Sequence, residues 1–532
     1  MPVGPSYLTE VPVELVENIL FYLHPCEIAQ CRILCSGLKS IVDTSIELQL
    51  RIELGIDGFL LNSLPLIPAR EMLALVLERR TRFQQGDHVS KYRLETQFHG
   101  QYEISNGVFA YGINPKSSDV FSGIKYVPLT SEIFREKGTR EKLEFTDLGV
   151  DLTDFSFSVD DDLQVLVEKA DTEARTRTIY FRTISTNEPH PLAGLPQLVL
   201  ELDDFDLGAQ CYTLLSHDHL SIGLYNWDVV GHECAHIIYN WRTAEHILPY
   251  SLVCDAHFLN KELVALLINQ SDFVGISLLN LTDGRTVQKF SLPFRKPVRS
   301  CLFMAGTPKR HRTQTKKEPF RCLTQDPKVQ IIGIAMTPVS GNGIEHDVHV
   351  VISASHLLSK LDNVQVPSEH MEWEDWGPQA TRWFGFDDVS QASLSGSRLL
   401  GKSRPRITDE VWRGEQLLIF DFNMRALRRH ASSATAKEGS SFRAFRTYTG
   451  DSELLDAGRS GIDIVSSLSC VATTININAL GYSEFLLEDH VIIGEAVGFR
   501  IRRLFVLSEY ERIKSWSDPT MLTPERTEAS QM

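Results

Sequence analysis

The stretch from Gly231 to Trp241 reads GHECAHIIYNW, and within it His232, Glu233 and His236 stand in the order His-Glu-x-x-His. On a helix the two histidines fall one turn apart on one face and can share a zinc ion, while the glutamate between them activates a metal-bound water. The small and apolar neighbours Cys234, Ala235, Ile237 and Ile238 suit that arrangement. The chemistry would be metal-assisted hydrolysis. It needs a helix beneath the motif and a third ligand beyond it.

The flanking residues favour a different element. The β-branched pairs Val229-Val230 and Ile237-Ile238 prefer strand, and Tyr-Asn-Trp occurs twice, at 225–227 and 239–241. Two β-rich runs joined at GHEC predict a hairpin with Ile237, Tyr239 and Trp241 on one face and Asn240 and Arg242 on the other. The competing pattern is a helical stripe of Val230, Cys234, Ile237 and Trp241, opposed by Gly231 near its start. Arg242 stands where an extended motif needs a third histidine. Glu262, the best downstream carboxylate, lies in KELVALLINQ, which reads as another strand. Strand without metal is the expectation, a zinc metallopeptidase through His232-Glu233-x-x-His236 the alternative. His217, His219 and His246 nearby are expected as solvated loop residues.

The elements that must carry any site follow from composition. A chain of 532 residues, 42% hydrophobic and 23% charged, is a globular protein with ample core. A net charge of -16 opposes a nucleic-acid partner, because phosphate neutralisation needs a basic surface. No apolar run is long enough to span a bilayer, so no membrane partner is expected. Glu10, Glu14 and Glu17 interrupt any apolar core of a leader, and nine cysteines show no paired framework. A cytoplasmic or nuclear location is the expectation. Gly-rich phosphate loops, Gly-x-Ser-x-Gly elbows and Cys-x-x-Cys pairs are absent from the sequence, and no cofactor is implied.

The first stretch is helical. Val13, Val16, Ile19, Leu20 and Leu23 recur at helical spacing after Pro12, and Pro25 ends the run. A second segment spans Glu27 to Leu34, and a third is predicted from about Ser36 to Leu54, with Gly55 as its stop. Three short helices have little room for a private core and usually lean on a partner.

These residues resemble an F-box. Val11-Pro12 stands at the usual Leu-Pro start, Ile19-Leu20 with Leu23 matches the first helix, and Glu27-Ile28 replaces Asp-Leu. Arg32, Leu34 and Cys35 follow the pattern, Leu38 stands where many members have Trp, and Ile41-Val42 completes the last helix. LQLRIELGIDGF after this segment, EWEDWGPQATRWF (Glu372 to Phe384), GSRLL and LLIFDFNMRALRR (Leu417 to Arg429) are similar to a large fungal group of F-box proteins. The resemblance implies docking on a Skp-type adaptor and, through it, on a cullin scaffold of an SCF-type ubiquitin ligase, with an unknown substrate protein captured elsewhere. The adaptor-binding set it implies is Val11, Pro12, Ile19, Leu20, Leu23, Ile28, Leu34 and Leu38. Val16, Leu20 and Leu34 are expected as an internal seam, and Val11, Pro12, Ile19, Leu23 and Ile28 as the outward face.

Pro68 to Asp87, with Met72, Leu75, Val76 and Leu77, predicts one amphipathic helix, either a spacer or a helix packed on its neighbour. Beyond His88 the texture becomes strand, polar turn, strand. The unit recurs at Ile124–Leu129, Thr178–Ile184, His236–Trp241, Val274–Leu281, Val348–Ser353, Leu417–Phe422 and Ile501–Leu507. Copies at intervals of roughly 40 to 70 residues fit propeller blades. Trp373, Trp376 and Trp383 are expected to pack between blades rather than face a ligand. The basic run Pro308–Pro319, including Lys309–Lys317, is expected as a solvated loop, with a nuclear localisation signal as its other reading. The expected architecture is a three-helix F-box over 1–57, a linker over 58–89, an all-β propeller of six to eight blades over 90–515, and a polar tail over 516–532. The expected role is a non-catalytic substrate receptor; a propeller scaffold without a ligase is a further alternative.

Overall fold

A computed structural model describes residues 11–61, 67–85, 90–96, 101–105, 107–117, 120–128, 143–171, 173–202, 210–225, 234–294, 298–304, 323–338, 347–361, 370–385, 389–403, 416–426, 428–429, 446–448, 452–455, 463–475, 484–488, 491–496 and 502–508. His232, Glu233, the basic run 308–319, the segment 430–442 and the tail after 516 lie outside the described residues.

Helices come first: α1 (Val13–Phe21), α2 (Pro25–Leu34), α3 (Ser36–Thr44) and α4 (Ile46–Ile56). Pro25 does not simply end α1; it opens α2 behind a capping box made by His24 and Glu27. The expected third helix is in fact two. Thr44 turns its hydroxyl back onto the Ser40 and Ile41 carbonyls, and Ser45 is extended, so α3 stops while the apolar period runs on into α4. Val16, Leu20, Ile28, Val42, Leu48 and Ile52 form the core of this four-helix module. Helix α5 (Ala69–Gln85) packs on α4 rather than standing off as a spacer. Its Met72 and Val76 join Leu50, Leu54 and Phe59 in a second small core. Arg80 bonds both Glu53 and Asp57 across the same contact.

The remainder is a series of four-stranded antiparallel sheets, together with a two-stranded pair of Ser452–Leu455 and Asp463–Ser466. Sheet I contains Tyr102–Ser105, Val108–Pro115, Phe121–Pro128 and the short Glu144–Phe145. Sheet II contains Leu152–Ser158, Leu163–Glu168, Thr176–Thr183 and Gln197–Glu201, joined to sheet I by the single pair Phe121–Leu152. Sheet III runs Gln210–Ser216, His219–Tyr225, Cys234–Asn240, Glu245–Ser251. Sheet IV runs Asp255–Phe258, Leu263–Asn269, Val274–Asn280, Thr286–Ser291. Sheet V takes Ser300–Phe303, Ile331–Thr337, Val348–Ser353 and Thr381–Gly385. Sheet VI takes Ser390–Ser395, Arg398–Ser403, Gln416–Asp421 and Cys470–Ile475, with Arg446–Tyr448 added at its edge. Sheet VII takes Glu484–Glu488, Val491–Ala496 and Arg502–Ser508, and its fourth strand is Ser90–Thr96, the first of the β region.

All seven recurrent units of the sequence fall on the third strand of these successive sheets. The repeat extends to hydrogen bonding in the turn that leaves this strand. In sheets II, III and IV the amides of Asn187, Ala244 and Gly284 bond the carbonyls of Thr183, Asn240 and Asn280. Those three residues share a positive φ of 61°, 61° and 68°. Residues alternate between faces, so the third strands of sheets III, IV and V are each shared by two cores. Ile237, Tyr239 and Trp241 pack toward sheet II with Ile179 and Phe181, whereas Ile238 packs toward sheet IV with Val264 and Leu266. The same sharing links I with II, IV with V, and V with VI.

Acids on the first strands, Asp154 buried and Glu103 and Asp255 half-buried, add a second kind of link. Glu103 of sheet I accepts from Ser156 Oγ and the Phe157 N–H of sheet II at 3.0 and 3.1 Å. Asp154 of sheet II accepts from the Thr213 N–H of sheet III at 2.8 Å, and Asp255 of sheet IV from the Phe303 N–H of sheet V at 2.7 Å. Within sheet V lie two helices the strand reading missed, α6 (Ala354–Leu361) and α7 (Trp373–Ala380). Both are a mere eight residues, and Pro378 inside α7 masks its helical pattern.

Candidate functional site

From Cys234 onward, the described part of the opening motif is a strand. Cys234–Asn240 pairs antiparallel with His219–Tyr225, placing His236 opposite Gly223. A Cβ on Gly223 would stand 2.6 Å from the imidazole, so glycine makes the room for that ring. His236 Nε2 meets Tyr225 Oη at 2.9 Å, and Nδ1 meets Ser221 Oγ at 3.3 Å. Tyr225 also donates to Asp255 at 3.2 Å, so this network ties sheet III to sheet IV. Burial pushes the His236 pKa down to about 4 and that of Asp255 up to about 7. His236 is a buried structural histidine, and the helix that a zinc peptidase motif needs is not formed at Cys234–Asn240. Glu262 precedes the strand Leu263–Asn269, and His246 is exposed on an outer strand.

Trp373, Trp376 and Trp383 are likewise interior. They meet edge-on at 5.3 and 5.8 Å within the core shared by sheets IV and V. Trp376 donates its indole N–H to the Ser291 carbonyl at 3.1 Å. The expected packing role, not a ligand-facing one, is what the structure has.

The helical module presents the opposite situation. Val16, Leu20 and Ile28 point into its core, whereas several other apolar residues of α1 and α2, and Tyr22 just after α1, are uncovered. Val13, Leu15, Ile19, Tyr22, Ile33 and Leu34 are exposed, six of the fourteen large exposed apolar side chains among the described residues. Ile19 is 55% exposed, Leu34 70% and Tyr22 89%. A concentration of apolar surface on so small a unit marks a protein contact.

The division of faces differs from the expected one at Ile28 and Leu34, while Leu20, named both in the seam and in the adaptor-binding set, lies in the seam. Leu20 and Ile28, at 4% and 0% exposure, are consumed by the module's own core and offer a partner nothing. Leu34, expected in the internal seam, projects outward. The reason is that α2 carries apolar residues on more than one side, and α3 and α4 cover only the Ile28 side. Ile19 is outward as expected, and Pro12 is exposed. Val11, Leu23 and Leu38 are half-buried against the core. Val13, Leu15, Tyr22 and Ile33 were not in the expected set; Val13, Leu15 and Ile33 each stand beside one charged residue, and Tyr22 beside none.

The module is also fastened to the sheets. Phe59–Leu61 pairs with Leu323–Gln325, which precedes the second strand of sheet V. Gly58, at φ 80°, makes the turn into that ribbon; a Cβ there would stand 2.9 Å from Val329 Cγ2 and 3.1 Å from Asn423 Nδ2. The carbonyls that end α4 are covered from sheet VI: Asn423 Nδ2 donates to Ile56 O at 2.8 Å and Arg425 to Gly55 O at 3.0 Å.

Fold and surface together define a two-part protein, a helical module with uncovered apolar side chains carried on a large array of β-sheets. Residues 8–49 match the F-box domain family, and the chain carries an F-box domain. No curated protein matches it in sequence. In three dimensions it is similar to the β-propeller domain of the Trilobed protease from Pyrococcus furiosus, at 11% identity and TM-score 0.37, over 82% of this chain and 99% of that one. It is also similar to Pyrococcus horikoshii acylaminoacyl peptidase (10% identity, TM-score 0.38, 79% of this chain and 52% of that one). A third is the AfRom2 CNH domain (8% identity, TM-score 0.33, 80% and 99%). Likenesses this distant carry no statement about activity. Among the described residues no helix is long and apolar enough to cross a membrane.

Proposed function

We propose that this protein is a non-catalytic substrate-recognition subunit of an SCF-type ubiquitin ligase. In this reading its F-box, within residues 1–57, docks on a Skp-type adaptor, and its β region, residues 90–515, holds a target protein. The observation that carries it is the cluster of uncovered apolar side chains on α1 and α2, in a segment that matches the F-box family. Ile19, Leu34, Val13, Leu15, Tyr22 and Ile33 are the side chains we assign to the adaptor, with Pro12, Val11, Leu23 and Leu38 at the rim. Burying a few of them contributes about 1.5–3 kcal/mol each, enough together to outweigh the cost of association. The mechanism is proximity: a target held beside a ubiquitin-charged enzyme reacts at raised effective concentration, and the receptor supplies no chemistry.

In the same reading the seven four-stranded sheets are blades of a closed propeller. Shared cores between successive sheets support this, as does the pairing of Ser90–Thr96 with Arg502–Ser508, which unites the two ends of the β region in one sheet. The test is reconstitution with purified Skp adaptor and cullin. Co-elution of the three as one complex is expected; separate elution of the receptor overturns the role.

A further inference from the structure

Asp326 lies just before the second strand of sheet V, where the β region meets the helical module, and it is 1% exposed. Its carboxylate accepts from Arg425 at 2.6 Å and from the Lys328 N–H at 2.9 Å, and it contacts His24 Nε2 at 3.1 Å. Its own N–H donates to Gly58 O at 2.8 Å. Burial works against the charge, yet the Lys328 N–H and the Arg425 guanidinium hold the carboxyl below the usual aspartate range. One acid therefore joins α2, the turn after α4, and the strand connections of sheets V and VI.

His24 gives the junction a direction. It is the N-cap of α2: its Nδ1 accepts from the Cys26 N–H at 3.4 Å while its backbone N–H donates to Glu27 at 2.8 Å. With Nδ1 accepting, Nε2 carries the proton and donates to Asp326. The ring that starts α2 is thus held in its capping orientation from the β side. Near the end of α4, Arg429, which follows the third strand of sheet VI, donates to both carboxylate oxygens of Glu53 at 2.8 and 2.7 Å. Gly55 lets α4 approach α2 closely; a Cβ there would stand 2.3 Å from Pro25 Cβ. Strain or release at Asp326 is therefore felt by both helices.

We infer that the Asp326 cluster couples the F-box helices to the folded β-sheets, so that α2 reaches full stability only when the connections of sheets V and VI are folded around it. The coupling is reciprocal: whatever binds α1 and α2 also stabilises the β junction, and damage at the junction weakens that binding. Only this second consequence rests on the adaptor role proposed above.

The test is amide hydrogen exchange on the full chain without any partner, comparing the native protein with Asp326→Asn and His24→Phe. Amides Ala29–Leu34 and Phe59–Leu61 are expected to exchange at least about tenfold faster in Asp326→Asn, with those of the sheet IV strand Leu263–Asn269 unchanged. His24→Phe removes the α2 cap together with the Asp326 contact, so its readout is Phe59–Leu61 on the β side, which should also exchange faster; this keeps the test open if Asp326→Asn disturbs the sheets. With sheet IV still protected, native exchange rates at Ala29–Leu34 in Asp326→Asn, or at Phe59–Leu61 in His24→Phe, overturn the inference. As a second readout, purified Skp adaptor should bind Asp326→Asn about five- to tenfold more weakly than the native chain. Equal affinity also overturns the coupling, whereas absence of binding by the native chain speaks against the adaptor role and leaves the exchange result to decide.

Discussion

At the scale of single residues, buried ionisable groups between sheets set a pH dependence that can be isolated at Asp154. Burial raises the Asp154 pKa from 3.8 to about 7, against the pull of the Thr213 N–H and hydroxyl, the Phe155 N–H and the Arg177 charge. A carboxyl whose pKa is higher when folded favours the folded state below pH 4 and loses that advantage as pH rises through about 7. His236 and His257 act oppositely. Burial lowers both to about 4, so their contribution is present above 6.5 and declines as the solution is acidified toward 4. Asp154→Asn separates the two, since the amide can still accept from the Thr213 N–H but no longer ionises. The stability advantage of the native protein over Asp154→Asn should shrink by about 1–3 kcal/mol between pH 5 and pH 8. Denaturant melts at the two pH values check this; an unchanged gap contradicts a neutral, inter-sheet Asp154.

At the scale of elements, the F-box core and its outer face make opposite predictions. Leu20 is enclosed by Val16, Ile28, Val42, Leu48 and Ile52, so Leu20→Ala should destabilise the module by about 2–4 kcal/mol. Ile19 is one residue away and more than half exposed, so Ile19→Asp should leave the melting curve almost unmoved. Hydrogen exchange across α1–α3 distinguishes them; comparable losses would mean that Ile19 is also core. The third strands of sheets III, IV and V were legible in the sequence because each is buried on both faces and reads as an apolar run ended by a polar turn. The helices of the F-box were legible from their periodicity. The break at Ser45 was not, because the apolar spacing continues through it and a threonine hydroxyl ends α3. Nor could the sequence show which side of α2 is covered, since Ile28, Ile33 and Leu34 are equally apolar. LQLRIELGIDGF and LLIFDFNMRALRR both stood out as segments, but nothing in either reveals that Asn423 and Arg425 end α4 from more than 360 positions away. Contacts of that range have no period to read.

At the scale of the whole molecule, the β region is arranged so that its first strand completes its last sheet. If the sheets close into a ring, removing residues 484–508 deprives Ser90–Thr96 of its partner and leaves unpaired edges, and the truncated chain should aggregate. A soluble product with one cooperative melt would instead indicate separable sheets. Docking through the F-box is the central claim, and calorimetric titration of purified Skp adaptor into the full-length chain and its Ile19→Asp variant tests it most directly. Saturable one-to-one binding by the native chain is predicted, with at least about a tenfold loss in Ile19→Asp, because burying an unpaired carboxylate in an apolar contact is costly. No binding by the native chain, or equal binding by the two, would contradict the account.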